Sequence, residues 1–215
     1  MTVAVIAIDG PAGAGKSTVA RLVADRVGLP YLDTGAMYRC IAVAVMRSGV
    51  DPHSESATGE IAERVSIVVE PDEVMMDGVD VTDDIRTPEV SAIVSIIAAH
   101  SRVRDAMRSQ QRNWIASHGG GVVEGRDIGT VVIPDAGTKI FLTASPEERA
   151  VRRVGQSGGD IAQVAAGIAE RDRIDSTRAD SPLRPADDAS VVDSTGLDID
   201  QVVDCIVAVH ASRGN

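Results

Sequence analysis

The chain has 215 residues and a net charge of −11, with 21 Lys and Arg against 32 Asp and Glu. That length suits one α/β domain with elaborations, or a domain plus a small insert. The acidic balance argues against a nucleic-acid footprint and against attraction to an acidic membrane surface.

Aromatic residues make up only 2%, so a core must be built from Val, Ile, Leu and Ala. Lysine occurs only as Lys16 and Lys139, which leaves arginine to hold any anionic ligand. Its planar fork suits phosphate and base edges, although a coding bias toward arginine explains the excess equally well. Cys40 and Cys205 each fall in an apolar helical pattern and read as buried reduced thiols. The four histidines lack ligand spacing and receive no role. No basic-then-apolar leader and no membrane-length apolar run occurs, so a soluble cytoplasmic protein is expected. The scattered surface charge suggests a monomer.

Val3 to Ile8 is a short, nearly continuous apolar run, as expected of a parallel strand covered on both faces. Gly10, Pro11, Ala12, Gly13, Ala14, Gly15, Lys16, Ser17 and Thr18 follow, with the spacing Gly-x4-Gly-Lys-Ser. Helical periodicity then begins at Val19. Glycines let successive N–H groups turn inward toward phosphate oxygens, and the helix start adds its own donors. Lys16 can place a compact charge between the outer phosphates, and the Ser17 hydroxyl can ligate magnesium. The strand before and the helix after make this a phosphate-binding loop.

Gly28 to Asp33 reads as a turn and a short strand, and Asp33 or Thr34 can cap the helix that follows. Residues 50–60 are polar and turn-rich. Ser66–Glu70, Glu73–Met76 and Val79–Val81 are extended runs, with Asp77-Gly78 as a hairpin signal. They form an antiparallel insert over approximately 62–90, either a cap on a substrate site or a plain excursion. Pro88 to His100 is an apolar helix. Ser101 to Ser117 is amphipathic, with Val103, Met107 and Trp114 on one side and Arg102, Arg104, Arg108 and Arg112 elsewhere. Such an arginine face is ordinarily solvated.

Gly121 to Glu124 is a buried strand ending in Gly125-Arg126-Asp127. Ligands of open parallel sheets bind beyond the carboxyl ends of strands, so this pair favours ligand contact over a private salt bridge. Thr138 to Ala144 is another buried strand. Ser145-Pro-Glu-Glu148 is a capping box that opens a helix bearing Arg149, Arg152 and Arg153. Gly155, Gly158 and Gly159 separate it from a helix over Ile161 to Arg173. The two arms read as a mobile lid or as a plain helical hairpin. Ser190 to Asp193 is a last strand, and Asp198 opens a terminal helix.

Several motifs in order carry a resemblance: Ile8 to Thr18, Leu32-Asp-Thr-Gly-Ala-Met-Tyr-Arg39, Ile85-Arg-Thr-Pro-Glu-Val90, Arg102-Val-Arg104, Glu124 to Val132, and Glu170 to Arg178. On these the chain resembles the bacterial cytidylate kinases, P-loop nucleoside monophosphate kinases, over essentially its whole length. The resemblance implies a three-layer α/β fold: a central five-stranded parallel sheet, an antiparallel β insert beside the monophosphate site and a helical lid. The kinase domain would have its core at 1–61, 91–150 and 176–215 and its lid at approximately 151–175. It implies ATP-dependent phosphorylation of CMP and dCMP with Mg2+.

Carried over by position, Thr34, Arg104, Asp127 and Arg178 would face the cytosine, and Arg39 and Arg126 would hold the acceptor phosphate. Arg171 and Asp175 would meet the sugar and nearby phosphate. Lys16, Arg126 and Arg171 would be catalytic, with the metal on Ser17. The family usually has serine where Thr34 stands; the extra methyl keeps the hydroxyl but tightens that corner. The short, glycine-rich lid leaves open which of Arg149, Arg152 and Arg153 reaches the phosphates. Asp127 can accept from the cytosine amine, whereas uracil would present it a carbonyl oxygen. Other small P-loop kinases, acting on shikimate or another nucleotide, are the alternative. A GTPase switch would need a guanine-reading Asn-Lys-x-Asp segment, which the sequence lacks.

Overall fold

The computed structural model describes residues 4–213. Val3, placed by the apolar pattern in the first strand, lies outside them. Strand β1 (Ala4–Asp9) is buried from its second residue on and lies at the centre of a five-stranded sheet. The other strands are β2 (Tyr31–Asp33), β6 (Gly120–Gly125), β7 (Thr138–Thr143) and β8 (Ser190–Asp193), in the spatial order β2-β6-β1-β7-β8. The β1–β6, β1–β7 and β7–β8 pairs are parallel. The chain therefore leaves β1 at the point where its neighbours lie on opposite sides, the usual place for a ligand in a doubly wound sheet.

The chain forms two units, one from residues up to Tyr31 together with those from His118 on, the other from Leu32–Ser117. In the first, helices α1 (Lys16–Val27) and α8 (Ile199–Arg213) cover the sheet. Ile6, Ile8, Ala20, Val23, Val122, Leu142, Val203 and Ile206 interlock there as an aliphatic core. Helices α6 (Pro146–Ser157) and α7 (Ile161–Thr177) form the helical hairpin. The capping box forms: Ser145 accepts from the Glu148 N–H, with Pro146 in the first turn. Helix α7 runs four residues beyond the expected end at Arg173. Arg171 and Asp175 therefore stand one turn apart on one helix.

The second unit packs helix α2 (Thr34–Ser48) against α3 (Glu55–Arg64) and α4 (Pro88–Ile97), with the longer α5 (Ser101–His118). Asp33 caps α2 by accepting from the Ala36 N–H. Beside them lies the antiparallel sheet of β3 (Ile67–Val69), β4 (Val74–Met76) and β5 (Val79–Asp80). Asp77 and Gly78 both have positive φ, 52° and 78°, as the tight hairpin turn requires.

Three expectations are corrected. The polar stretch after residue 50 contains helix α3, whose buried face is made of Thr58, Gly59 and Ala62 rather than an apolar stripe. Gly59 matters there, because a Cβ would lie 2.4 Å from the Arg102 side chain. Arg104 lies on the buried side of α5, only 1% exposed. Cys205 is exposed on α8, while Cys40 is buried as expected.

Candidate active site

In the first unit, the phosphate loop begins where β1 stops. Gly10 has φ 156°, and a Cβ on it would fall 2.0 Å from the Leu142 carbonyl oxygen, so only glycine fits between β1 and β7. Gly15 caps α1 with φ 88°. Lys16 is buried and folds back over the loop, its Nζ donating to the Pro11 carbonyl at 2.9 Å. Burial, with Arg126 and Arg171 close by, pushes the Lys16 ammonium down to about 7, against the opposing pull of Glu124 and Asp9. Cations that repel one another around one loop make a site that an oligophosphate would relieve.

The loop is braced from outside. Arg149 donates to the Ala12 carbonyl at 3.1 Å and pairs with Asp172. The Asp172 carboxylate accepts in turn from the Ala12 N–H at 3.2 Å. One residue of the loop, Ala12, is thus held at both its backbone polar groups by α6 and α7. Arg152 reaches the Ala14 carbonyl at 3.3 Å and Ser194 Oγ at 2.9 Å. Arg153 is half-buried on α6.

Beyond β6, Arg126 donates from Nε to Asp175 at 3.0 Å, and Arg178 Nη1 lies 3.5 Å from the same carboxylate. Burial alone would raise the Asp175 carboxyl. Arg126, Arg171 and Arg178 outweigh that and hold it below the ordinary carboxylate range. Arg178 also donates to the Ser181 carbonyl at 2.6 Å. Asp127 is buried and precedes a wide helical turn, Ile128–Val132, whose i→i+5 bonds include Ile133 N–H to Ile128 at 2.8 Å.

In the second unit, Thr34 is buried at the start of α2. Arg39 donates to the Ile85 carbonyl at 3.2 Å and to Ser91 Oγ at 3.0 Å. Arg104 donates to the Ala98 carbonyl at 3.1 Å, and its guanidinium stands 5.8 Å from the centre of the Tyr38 ring. Tyr38 is one turn from Thr34, so those two and Arg104 share one side of α2.

The expected residues thus fall into two sets. Lys16, Arg126, Arg171, Asp175 and Arg178 are electrostatically linked within the first unit. Thr34, Arg39 and Arg104 belong to the second. Two buried carboxylates escaped the sequence reading. Asp9 accepts from the Ile128 and Gly129 N–H groups, both at 2.8 Å, and burial pushes its carboxyl up to about 6. Glu124 accepts from the Tyr31 hydroxyl at 2.6 Å. The signal was present in each case: an acidic residue closing an otherwise apolar strand must find donors or a cation inside the fold. Among the described residues no cluster of three His, Cys, Asp or Glu could hold a metal alone. A hard cation carried in on phosphate oxygens suits the set that exists, an exposed Ser17 hydroxyl at the start of α1 and an acidic strand end close to Lys16.

A parallel sheet with a glycine loop feeding a helix, backed by arginines, defines a P-loop phosphotransferase. At the level of fold, the chain is similar to a gluconokinase from Sinorhizobium meliloti 1021, with TM-score 0.50, 16% identity, and coverage of 98% of this chain and 93% of that one. The chain belongs to the cytidylate kinase family, whose model matches residues 6–212. It is 50% identical to a cytidylate kinase from Pelotomaculum thermopropionicum, covering 97% of this chain and 96% of that protein. It is 49% identical to a bifunctional pantoate ligase/cytidylate kinase from Prochlorococcus marinus (strain MIT 9303), covering 94% of this chain but only 44% of that longer protein.

Proposed function

We infer that the chain transfers the γ-phosphoryl group of ATP to CMP or dCMP, giving ADP and CDP or dCDP. The observation that carries this reading is a buried Lys16 folded over a glycine phosphate loop, with Arg126 and Arg171 close by. The acceptor phosphate is already ionised at neutral pH, so no strong base is needed. Catalysis is then positioning and charge stabilisation.

The loop N–H groups and Lys16 hold the donor phosphates. Arg39 and Arg126, the latter oriented by Asp175, hold the acceptor phosphate, and Arg171 and Asp175 meet the sugar and nearby phosphate. Asp127, Thr34, Arg104 and Arg178 read the cytosine edge. A base edge that leaves buried partners unpaired is strongly rejected, which favours cytosine over uracil by at least about tenfold, or about 1.4 kcal/mol. When bound, Mg2+ on the Ser17 hydroxyl supplies charge neutralisation between the donor phosphates. The segment of approximately 151–175 acts as a lid that keeps water from competing as acceptor, and the insert of approximately 62–90 flanks the monophosphate. Among the described residues no helix is long and apolar enough to cross a membrane. A cytoplasmic monomer working on small nucleotides completes the proposal.

An ATP-coupled assay across CMP, dCMP, UMP, AMP and GMP tests it. CMP and dCMP should lead; turnover of AMP or GMP equal to that of CMP would overturn the reading.

A further inference from the structure

We propose that Asp9 is a positioning residue that sets the Arg126–Asp127 turn, and through it the discrimination between cytosine and uracil nucleotides. This rests on the reading that Asp127 meets the cytosine amine. Asp9 is the last residue of β1, aligned with Gly125 on one side and Phe141 on the other. Its main chain is therefore pinned by parallel ladders in both directions, while its side chain crosses to the end of the neighbouring strand. The residue is 4% exposed. Oδ1 accepts from the Ile128 N–H and Oδ2 from the Gly129 N–H, each at 2.8 Å.

Those are the first two N–H groups of the helical turn that Asp127 precedes. An aspartate in that place ordinarily caps its own helix. Asp127 makes no such side-chain bond, and its backbone has φ −145° and ψ 22°. The cap is made instead by Asp9, 119 positions earlier in the chain. Two bonds to two oxygens of one carboxylate fix the rotation of the turn as well as its position, because a single bond would act as a swivel. Asp127 sits directly before the clamped peptide, so the direction of its side chain follows from the clamp. The fit is close: a Cβ on Gly129 would meet Lys139 carbons at 3.2 Å and Asp9 Oδ2 at 3.4 Å. An asparagine at position 9 keeps one acceptor but points an NH2 group at the other N–H donor. One bond becomes a donor–donor contact, and the turn is released to rotate. Displacements on the order of 1 Å are enough to cost a reacting geometry about 100-fold.

The test compares kcat/KM for CMP and UMP, and KM for ATP, in the wild-type chain and in Asp9→Asn. The CMP-to-UMP ratio should fall by about tenfold, and the CMP KM should rise by a larger factor than the ATP KM. Gly129→Ala crowds the same turn, chiefly against the Lys139 carbons at 3.2 Å, and should lower the ratio in the same direction. It also decides the matter if Asp9→Asn does not fold. Val203→Ala, a truncation in the aliphatic core, controls for a general loss of stability and should leave the ratio unchanged. A ratio unaltered in Asp9→Asn and Gly129→Ala, or lowered equally in Val203→Ala, overturns the role of Asp9 alone. A wild-type ratio near one overturns the Asp127 reading and this inference with it.

Discussion

Asp175→Asn removes an anion on which Arg126, Arg171 and Arg178 all act. The Asp175 side chain is 6% exposed and that of Arg178 5%, so water cannot replace the lost charge; Arg126 keeps 19% exposure. Removing one partner of a buried ion pair costs about 3–5 kcal/mol. The partial exposure of Arg126 puts the expected loss at the lower end, about 3 kcal/mol. For a chain of this size each kcal/mol lowers Tm by about 2–4 °C, so a fall of about 6–12 °C is expected at pH 7. CMP brings a phosphate to the same guanidiniums, so it should raise the Tm of the variant more than that of the wild type. Its kcat should nevertheless fall, because Arg126 is no longer oriented. The pH dependence has a definite sign. A carboxyl held below its ordinary value contributes stability above the unfolded pKa of about 3.9 and loses it as pH falls through the lower folded value. The gap between wild type and variant should therefore be full at pH 7 and close below about pH 4. Thermal melts with and without CMP measure all of this. A shift under about 2 °C at pH 7 would refute the reasoning, because these three guanidiniums would then need no shared anion.

Lys16→Ala should lower kcat by about 100- to 1000-fold with the fold intact by circular dichroism; near-normal turnover would remove the phosphates from the loop. Because burial and neighbouring arginines bring Lys16 down to about 7, kcat/KM for ATP should fall as pH rises above about 7, when the free chain loses that charge. A flat profile from pH 6.5 to 9 would contradict the assignment. Asp172→Asn unclasps the Ala12 peptide, and a charged hydrogen bond of about 1.5–3 kcal/mol predicts a rise in ATP KM of about tenfold or more by steady-state kinetics. Gly10→Ala drives a Cβ into the Leu142 carbonyl and should cost more than about 3 kcal/mol in a denaturant melt.

The elements that could be read from the letters are those with a local cause. Apolar runs became the buried strands β1, β6 and β7. Asp77-Gly78 turned a hairpin because both residues accept positive φ. Ser145 capped α6 because its hydroxyl meets an N–H three residues on. Helix α3 was hidden because small residues, Thr58, Gly59 and Ala62, do the packing that an apolar stripe normally announces. Arg104 looked like part of a solvated face; the Ala98 carbonyl and the Tyr38 ring are what make its burial tolerable, and neither contact shows in the helical pattern. Arg149 and Arg152 read as charges near a flexible bend, whereas in the fold both bond to carbonyls of the phosphate loop.

The order of residues by itself determined the phosphate loop, since a glycine turn between a buried strand and a helix is settled by sterics within a few neighbours. Only the tertiary structure decided which charges meet. Asp172 closes on Ala12 across 160 positions and Asp9 on Gly129 across 120. Hydrogen bonds and Coulomb forces act through space, so their partners exist only once the sheet has brought distant strand ends together.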